Sequence, residues 1–156
     1  MIKGVDLYLP IMGDILSLTN VEDYLFRRKI LGEGVVIKPK DNVIFSPVDG
    51  EIELVYNTKH AILLKTVEGL KILIHLGLNT TNLEKLKIKS FIKTGDKVKR
   101  GDKLLTFDKI NLNNGNEITI PVVIINTEII KALDINYNAF EKESILMKAQ
   151  LYMGCK

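Results

Sequence analysis

The chain has 156 residues and is 46% hydrophobic, which fits one domain with a substantial core and argues against a disordered chain. Aromatics make up only 6% and there is no tryptophan, so the core must be built from Ile, Leu and Val. The net charge of +3 is spread over lysines interleaved with acids, without the basic block and exposed aromatics of a nucleic-acid binder. No run of about 18 apolar residues occurs, so no membrane span is expected. The N-terminal MIKGVDLYLP lacks the apolar stretch of an export signal. The single cysteine, Cys155, cannot form an internal disulfide, which fits a reducing compartment and a cytoplasmic protein.

In chain order, strands are predicted near Asp6–Leu9, Gly13–Leu18, Gly34–Lys38, Asn42–Phe45, Gly50–Tyr56, Ala61–Thr66, Leu70–His75, Ser90–Ile92, Lys103–Asp108, Ile118–Ile124 and Ser144–Tyr152. Short helical turns are predicted at Val21–Phe26, with Asn20 as N-cap, and at Leu83–Lys87, Lys109–Asn113 and Thr127–Leu133. Asn111–Glu117 reads as an exposed loop. Regularly punctuated short strands predict an all-β sandwich or barrel. No linker or second domain is visible, so residues 1–156 read as a single domain.

Two stretches echo each other. Leu9-Pro10-Ile11-Met12-Gly13-Asp14-Ile15 and Ser46-Pro47-Val48-Asp49-Gly50-Glu51-Ile52 share the pattern x-Pro-x-x-Gly-acid-Ile. In each, proline presets a turn and glycine permits the backbone to restart as a strand. A third stretch, Thr94 to Leu104, carries two Gly-Asp turns at Gly95-Asp96 and Gly101-Asp102.

The only histidines, His60 and His75, lie at the outer ends of two apolar runs that meet at Val67-Glu68-Gly69. A two-residue turn at Glu68-Gly69 would pair Val67 with Leu70, Ile62 with His75 and His60 with Gly77. Thr58, His60, Ile62, Leu73, His75 and Gly77 would then share one face, with the histidines as diagonal neighbours roughly 7–8 Å apart at Cα. A slip of one residue would send the two histidines to opposite faces.

Histidine is a nucleophile that accepts phosphoryl or acyl groups. It is mostly neutral at pH 7, so one ring nitrogen keeps its lone pair. A second imidazole and a hydroxyl beside it could donate hydrogen bonds to a transferred phosphoryl group. Zinc is the competing chemistry, but the chain has no His-x-His, no His-Glu-x-x-His and no Asp just past either histidine; position 79 is Asn79. Phosphate-binding glycine loops are also missing, so neither a metal nor a nucleotide cofactor is expected.

Ser46–Ile52, Asn57–Ala61, Ile72–Thr80 and Gly95–Asp102, in this order and with 15 residues between the histidines (75 − 60), resemble the glucose-family enzyme IIA. This is a phosphocarrier domain of the bacterial phosphoenolpyruvate-dependent sugar phosphotransferase system. Gly32–Pro39 and Thr119–Ile124 extend the resemblance, which runs from about Leu7 to Asn126. It implies an antiparallel β-sandwich made of a duplicated hybrid motif, with a few short helical turns. It also implies a phosphotransferase role in sugar transport. His75 would be phosphorylated on Nε2. His60 would be the helper that hydrogen-bonds the phosphoryl group. Thr58 would orient His60, and the Gly77 carbonyl would hold the Nδ1–H of His75. The implied donor is the histidine phosphocarrier protein. The implied acceptor is a cysteine on the IIB domain of a sugar permease, reached at the inner face of the membrane. The family's docking face would include Glu33, Val35, Tyr56, Ile62, Leu73 and Asn79, with Leu76 in the core.

The chain departs from the family pattern at Asn79, where the family usually has Asp, and at Lys85-Leu86-Lys87-Ile88, which adds positive charge. The amphipathic N-terminal extension of some single-domain members is not expected, since the chain opens almost at its first strand. Three rival readings remain at this level. One is a non-catalytic module that regulates permeases or metabolic enzymes through its phosphorylation state. The others are a zinc hydrolase on a related sandwich and a lipoyl- or biotin-type carrier.

Overall fold

The computed structural model describes residues 3–78, 86–108 and 118–152. The chain runs through β1 (Lys3–Tyr8), β2 (Gly13–Ser17), a 3-10 turn at Leu18–Asn20, α1 (Tyr24–Arg27), β3 (Glu33–Pro39), β4 (Val43–Phe45), β5 (Gly50–Val55), β6 (Ala61–Lys65) and β7 (Lys71–His75). It continues through β8 (Gly77–Leu78), β9 (Lys89–Ser90), β10 (Lys97–Val98), β11 (Lys103–Thr106), β12 (Ile118–Ile124), β13 (Ile130–Ile135) and β14 (Ile145–Leu151).

All described strand pairs are antiparallel. The large sheet has the order β10-β5-β6-β7-β12-β3-β2, with β8 paired to β12. Two three-stranded sheets, β1-β14-β13 and β4-β11-β9, hold the other described strands. An aliphatic core fills the inner side of the large sheet. Ile62, Leu64, Ile72, Ile74, Ile120 and Val122 meet Leu7, Ile44, Leu104 and Met147 there.

The outer side of the large sheet is not wholly bare. A second, smaller core forms where Leu18, Val21 and Phe26 cover Val36, Ala61, Leu73 and Val123. β12 is therefore buried on both faces at its C-terminal end, which explains why Ile120–Ile124 shows a continuous apolar run rather than alternation. Pro121 interrupts that strand without an N–H to give. The interruption falls where β12 changes neighbour, from β7 at Val122–Ile124 to β8 at Ile118–Thr119. His75 is the last residue of β7 at this break.

The echoed proline stretches lie against each other. The Tyr8 N–H donates to the Pro47 carbonyl at 2.9 Å, and the Phe45 N–H donates to the Pro10 carbonyl at 2.8 Å. Each donor stands two residues before its own proline, so the two bonds are related by a local two-fold exchange. Their glycines are alike as well. A Cβ at Gly13 would lie 2.2 Å from the Lys38 carbonyl oxygen, and one at Gly50 would lie 2.4 Å from that of Lys65. Both Gly-Asp turns form. Gly95 and Gly101 take φ of 97° and 89°, and Asp96 and Asp102 accept from the N–H three residues earlier, on Lys93 and Lys99.

Several sequence expectations need correction. Thr127–Leu133 is not a helix. Only Thr127–Ile129 makes a 3-10 turn, and Ile130–Ile135 is strand β13, held by pairing with β14. This is tertiary pairing overriding a local helical pattern. The short helix is capped by Asp23, whose carboxylate accepts from Leu25 N–H and Phe26 N–H, rather than by Asn20. Strands β8 and β10 are two residues long and carry no pattern to read. Lys109–Asn113, Asn111–Glu117, Leu83–Lys85 and Cys155 lie outside the described residues.

Candidate functional site

The hairpin of β6 and β7 places His75 through a register that differs from the expected one. Ala61 pairs with His75, Ile62 with Ile74, and Lys65 with Lys71. The tip holds three residues, Val67-Glu68-Gly69, with the Gly69 N–H donating to the Thr66 carbonyl at 3.0 Å and Gly69 at φ 99°. A type of turn ending in a left-handed glycine accounts for the one-residue difference. Asn126 fastens this tip to the end of β12. Its Nδ2 donates to the Gly69 carbonyl at 2.8 Å and its Oδ1 accepts from Lys71 N–H at 2.9 Å.

By the pleat alone, this register would separate the histidines. His60 stands opposite Leu76, whose N–H donates to its carbonyl at 2.6 Å, and Leu76 faces the main core. Nevertheless, the rings meet. Their centroids are 5.0 Å apart and their planes stand at 88°. His60 lies just outside β6, in the Asn57–His60 loop that joins it to β5. There the Lys59 N–H donates to the Tyr56 carbonyl at 2.7 Å, and Lys59 itself takes φ 62°. A left-handed residue immediately before His60 breaks the alternation that would have carried the ring away. Thr58 Oγ1 and His60 Nδ1 are hydrogen-bonded, which fixes the ring from the loop side. Tyr56 flanks it with a centroid separation of 6.0 Å.

The register also decides which apolar residues surround the pair. The face shared with His75 carries Ala61, Leu63 and Leu73, not Ile62. Ile62 and Val35 were expected on an exposed docking ring. Both instead point into the main core, with 1% and 0% exposure. Leu73 is also buried, packed in the smaller core with Phe26. Among the described apolar docking candidates, Tyr56 is exposed, at 42%. Glu33 is half exposed and ion-paired with Lys29 at 3.4 Å. Leu76 lies in the core, as expected. Asn79 and Lys85 are outside the described residues. Leu86 is buried, and Ile88 packs against the main core.

Phe26 is the neighbour that sequence reading did not single out. Its ring centroid is 5.3 Å from that of His75, and the side chain is almost fully buried. The helix pattern and the Asp23 cap were the available signals, but neither shows which strand the helix covers. Tyr56, which flanks His60, is exposed, and so are Tyr24 and Leu25 on the same helix as Phe26.

Burial pushes the His75 pKa down from 6.5 to about 4. Repulsion from His60 adds to the effect, and attraction from Asp23 opposes it. Burial also lowers the pKa of His60. Both rings are therefore neutral at pH 7, and each keeps one unprotonated nitrogen. Nδ1 of His75 is buried and has no hydrogen-bond partner among the described residues. The expected bond from Nδ1–H to the Gly77 carbonyl is thus not formed. Gly77 does lie alongside, since a Cβ there would be 3.6 Å from Nδ1 and 3.3 Å from the Thr119 carbonyl oxygen. Among the described residues, no three His, Cys, Asp or Glu side chains gather as a metal site.

A partly buried, neutral imidazole beside a second, hydroxyl-anchored imidazole is suited to receiving a group at nitrogen. Comparison with known proteins agrees with this chemistry. Residues 5–130 match the family described as phosphoenolpyruvate-dependent sugar phosphotransferase system, EIIA 1. A glucose-specific EIIA component of Oceanobacillus iheyensis is 43% identical over 127 residues, covering 81% of this chain and 77% of that protein. One from Borreliella burgdorferi is 35% identical over 141 residues, covering 90% and 75%. The solved glucose permease IIA from Mycoplasma capricolum superposes with a TM-score of 0.83 at 31% identity, covering 94% of this chain and 96% of that one. The chain belongs to the EIIA 1 family of the phosphoenolpyruvate-dependent sugar phosphotransferase system and is a phosphoryl-transfer component of that system.

Proposed function

We propose that His75 is the residue that carries the phosphoryl group. The donor is the phosphohistidine of the histidine phosphocarrier protein, and the acceptor is a cysteine of the IIB domain of a sugar permease. The reading rests on the perpendicular His60–His75 pair. Since Nδ1 of His75 is the buried ring nitrogen, Nε2 is left to attack phosphorus. Its lone pair forms the new N–P bond as the donor's N–P bond breaks. In the second step the acceptor thiolate forms an S–P bond as the bond to Nε2 breaks, returning the electron pair to the ring.

His60 acts as helper. One of its nitrogens is tied to Thr58 and the other is directed to the phosphoryl oxygens on His75, whose charge it stabilises during transfer. The glucose-specific relatives favour a glucose permease as the acceptor. Exposed Tyr56 beside His60, with Tyr24 and Leu25 on the helix that carries Phe26, suits a small preformed contact that forms and dissociates quickly. The work would take place in the cytoplasm, with brief visits to the permease. No helix among the described residues is long and apolar enough to cross a membrane.

Incubation with phosphoenolpyruvate, enzyme I and the phosphocarrier protein tests the assignment. Mass spectrometry under alkaline conditions should find one acid-labile phosphoryl group on His75, and His75→Ala should carry none. Normal labelling of that variant would overturn it.

A further inference from the structure

The β6–β7 register poses a problem that the loop before β6 solves. A strand that continued its pleat back through His60 would turn that ring to the Leu76 side, into the main core. The ring is instead on the His75 side. Two features separate it from the regular strand: the Thr58 hydrogen bond and the left-handed backbone of Lys59. The hydrogen bond fixes the ring once it is there. It does not change the direction in which the chain leaves residue 59. That change is made by the backbone itself.

We infer that Lys59 is a positioning residue for phosphoryl transfer, and that it acts through its left-handed backbone rather than through its ammonium group. The inference rests on the phosphocarrier role proposed for His75 and His60. Lysine is an unusual occupant, because a Cβ disfavours positive φ. The side chain is exposed, so burial does not force its presence. In the described residues only Lys29, Lys59 and Lys87 combine a side chain with positive φ. Lys59 is the one that adjoins a histidine.

Four substitutions separate backbone from charge. Lys59→Gly and Lys59→Asn remove the ammonium but accept the left-handed conformation readily. Lys59→Ile and the smaller Lys59→Thr remove it and resist that conformation through β-branching. Two readouts are needed. The first is the through-space contact between the His60 and His75 ring protons in NMR spectra, which requires no phosphorylation. The second is the turnover of phosphoryl transfer from loaded His75 to the IIB domain, measured apart from loading by the phosphocarrier protein.

The Gly and Asn variants should keep the ring contact and transfer within about threefold of the parent. The Ile and Thr variants should lose the contact and about tenfold in onward turnover, with a smaller effect on loading. A preserved ring contact in the β-branched variants overturns the inference. So does an equal loss in all four, which would assign the effect to the ammonium. If the parent protein is never loaded at His75, the proposed function fails, and the ring contact alone still decides the role of Lys59. Thr tests the same point if the Ile variant does not fold.

Discussion

The His60 and His75 rings stand almost perpendicular, 88° apart in plane and 5.0 Å apart in centroid, and each makes protonation of His75 a matter for both. A charge on His60 would repel one on His75, which adds to the effect of burial.

The first expectation concerns pH. The folded-state pKa of His75 is about 4, below its ordinary 6.5, so between these values the unfolded chain binds the proton first. The stability tied to its neutral form is complete above pH 6.5 and is lost as pH falls toward 4. The full difference is on the order of 3 kcal/mol. NMR titration should leave His75 neutral at pH 6, and denaturation midpoints should decline below that pH. A ring titrating near 6.5 would contradict the burial argument.

Asp23 both caps α1 and attracts positive charge to His75. Asp23→Asn keeps a capping side chain but removes the charge. The His75 pKa should move down further while stability changes by less than about 1 kcal/mol. An upward shift measured by NMR would show that the attraction is not the effect that Asp23 exerts.

Phe26→Ala should open the smaller core and wet the histidine. Truncation of a buried phenylalanine costs about 3 kcal/mol or more. The His75 pKa should then rise toward 6.5, and the phosphorylated form should hydrolyse faster. Chemical denaturation and the decay of the phosphorylated species measure the two effects. Loss of stability without a rise in pKa would mean that Phe26 does not keep His75 dry.

Thr58→Val deletes the hydroxyl that holds His60 and keeps the shape. A hydrogen bond of this kind contributes about 1 kcal/mol, so onward transfer should fall by up to about tenfold. Loading of His75 should change little. Equal losses in the two half-reactions, measured separately, would refute the orienting role.

Asn126→Ala removes both hydrogen bonds that tie the β6–β7 tip to the end of β12. It leaves a partly buried N–H and carbonyl without their partner, at a cost of about 2 kcal/mol in denaturation experiments. A neutral result would show that the ladder alone holds the tip.

Much of this architecture is legible in the sequence because β-branched runs and Gly, Pro and Asp punctuation report strand existence directly. β12 was read with its limits intact, and both echoed proline turns proved to be paired structural elements. The register of the histidine hairpin was not legible. It depends on whether the tip uses two residues or three, and Val67-Glu68-Gly69 permits both. From that difference of one residue follow the burial of Ile62 and the exclusion of Ile62 from the histidine face. The left-handed Lys59 could not be anticipated, since lysine carries no signal for positive φ. Phe26 was hidden for another reason. Its contact with His75 joins residues nearly fifty positions apart, and no local pattern encodes that distance.

The reciprocal bonds between Tyr8 and Pro47, and between Phe45 and Pro10, make each copy of the repeated turn depend on the other's backbone. Covalent continuity keeps the two copies at a high effective concentration, so this joint needs no encounter between separate molecules. If the chain were cut between β3 and β4, each fragment would present an unfinished turn. Recombining the fragments would restore the joint only as a bimolecular association, and the regained histidine site would become dependent on protein concentration.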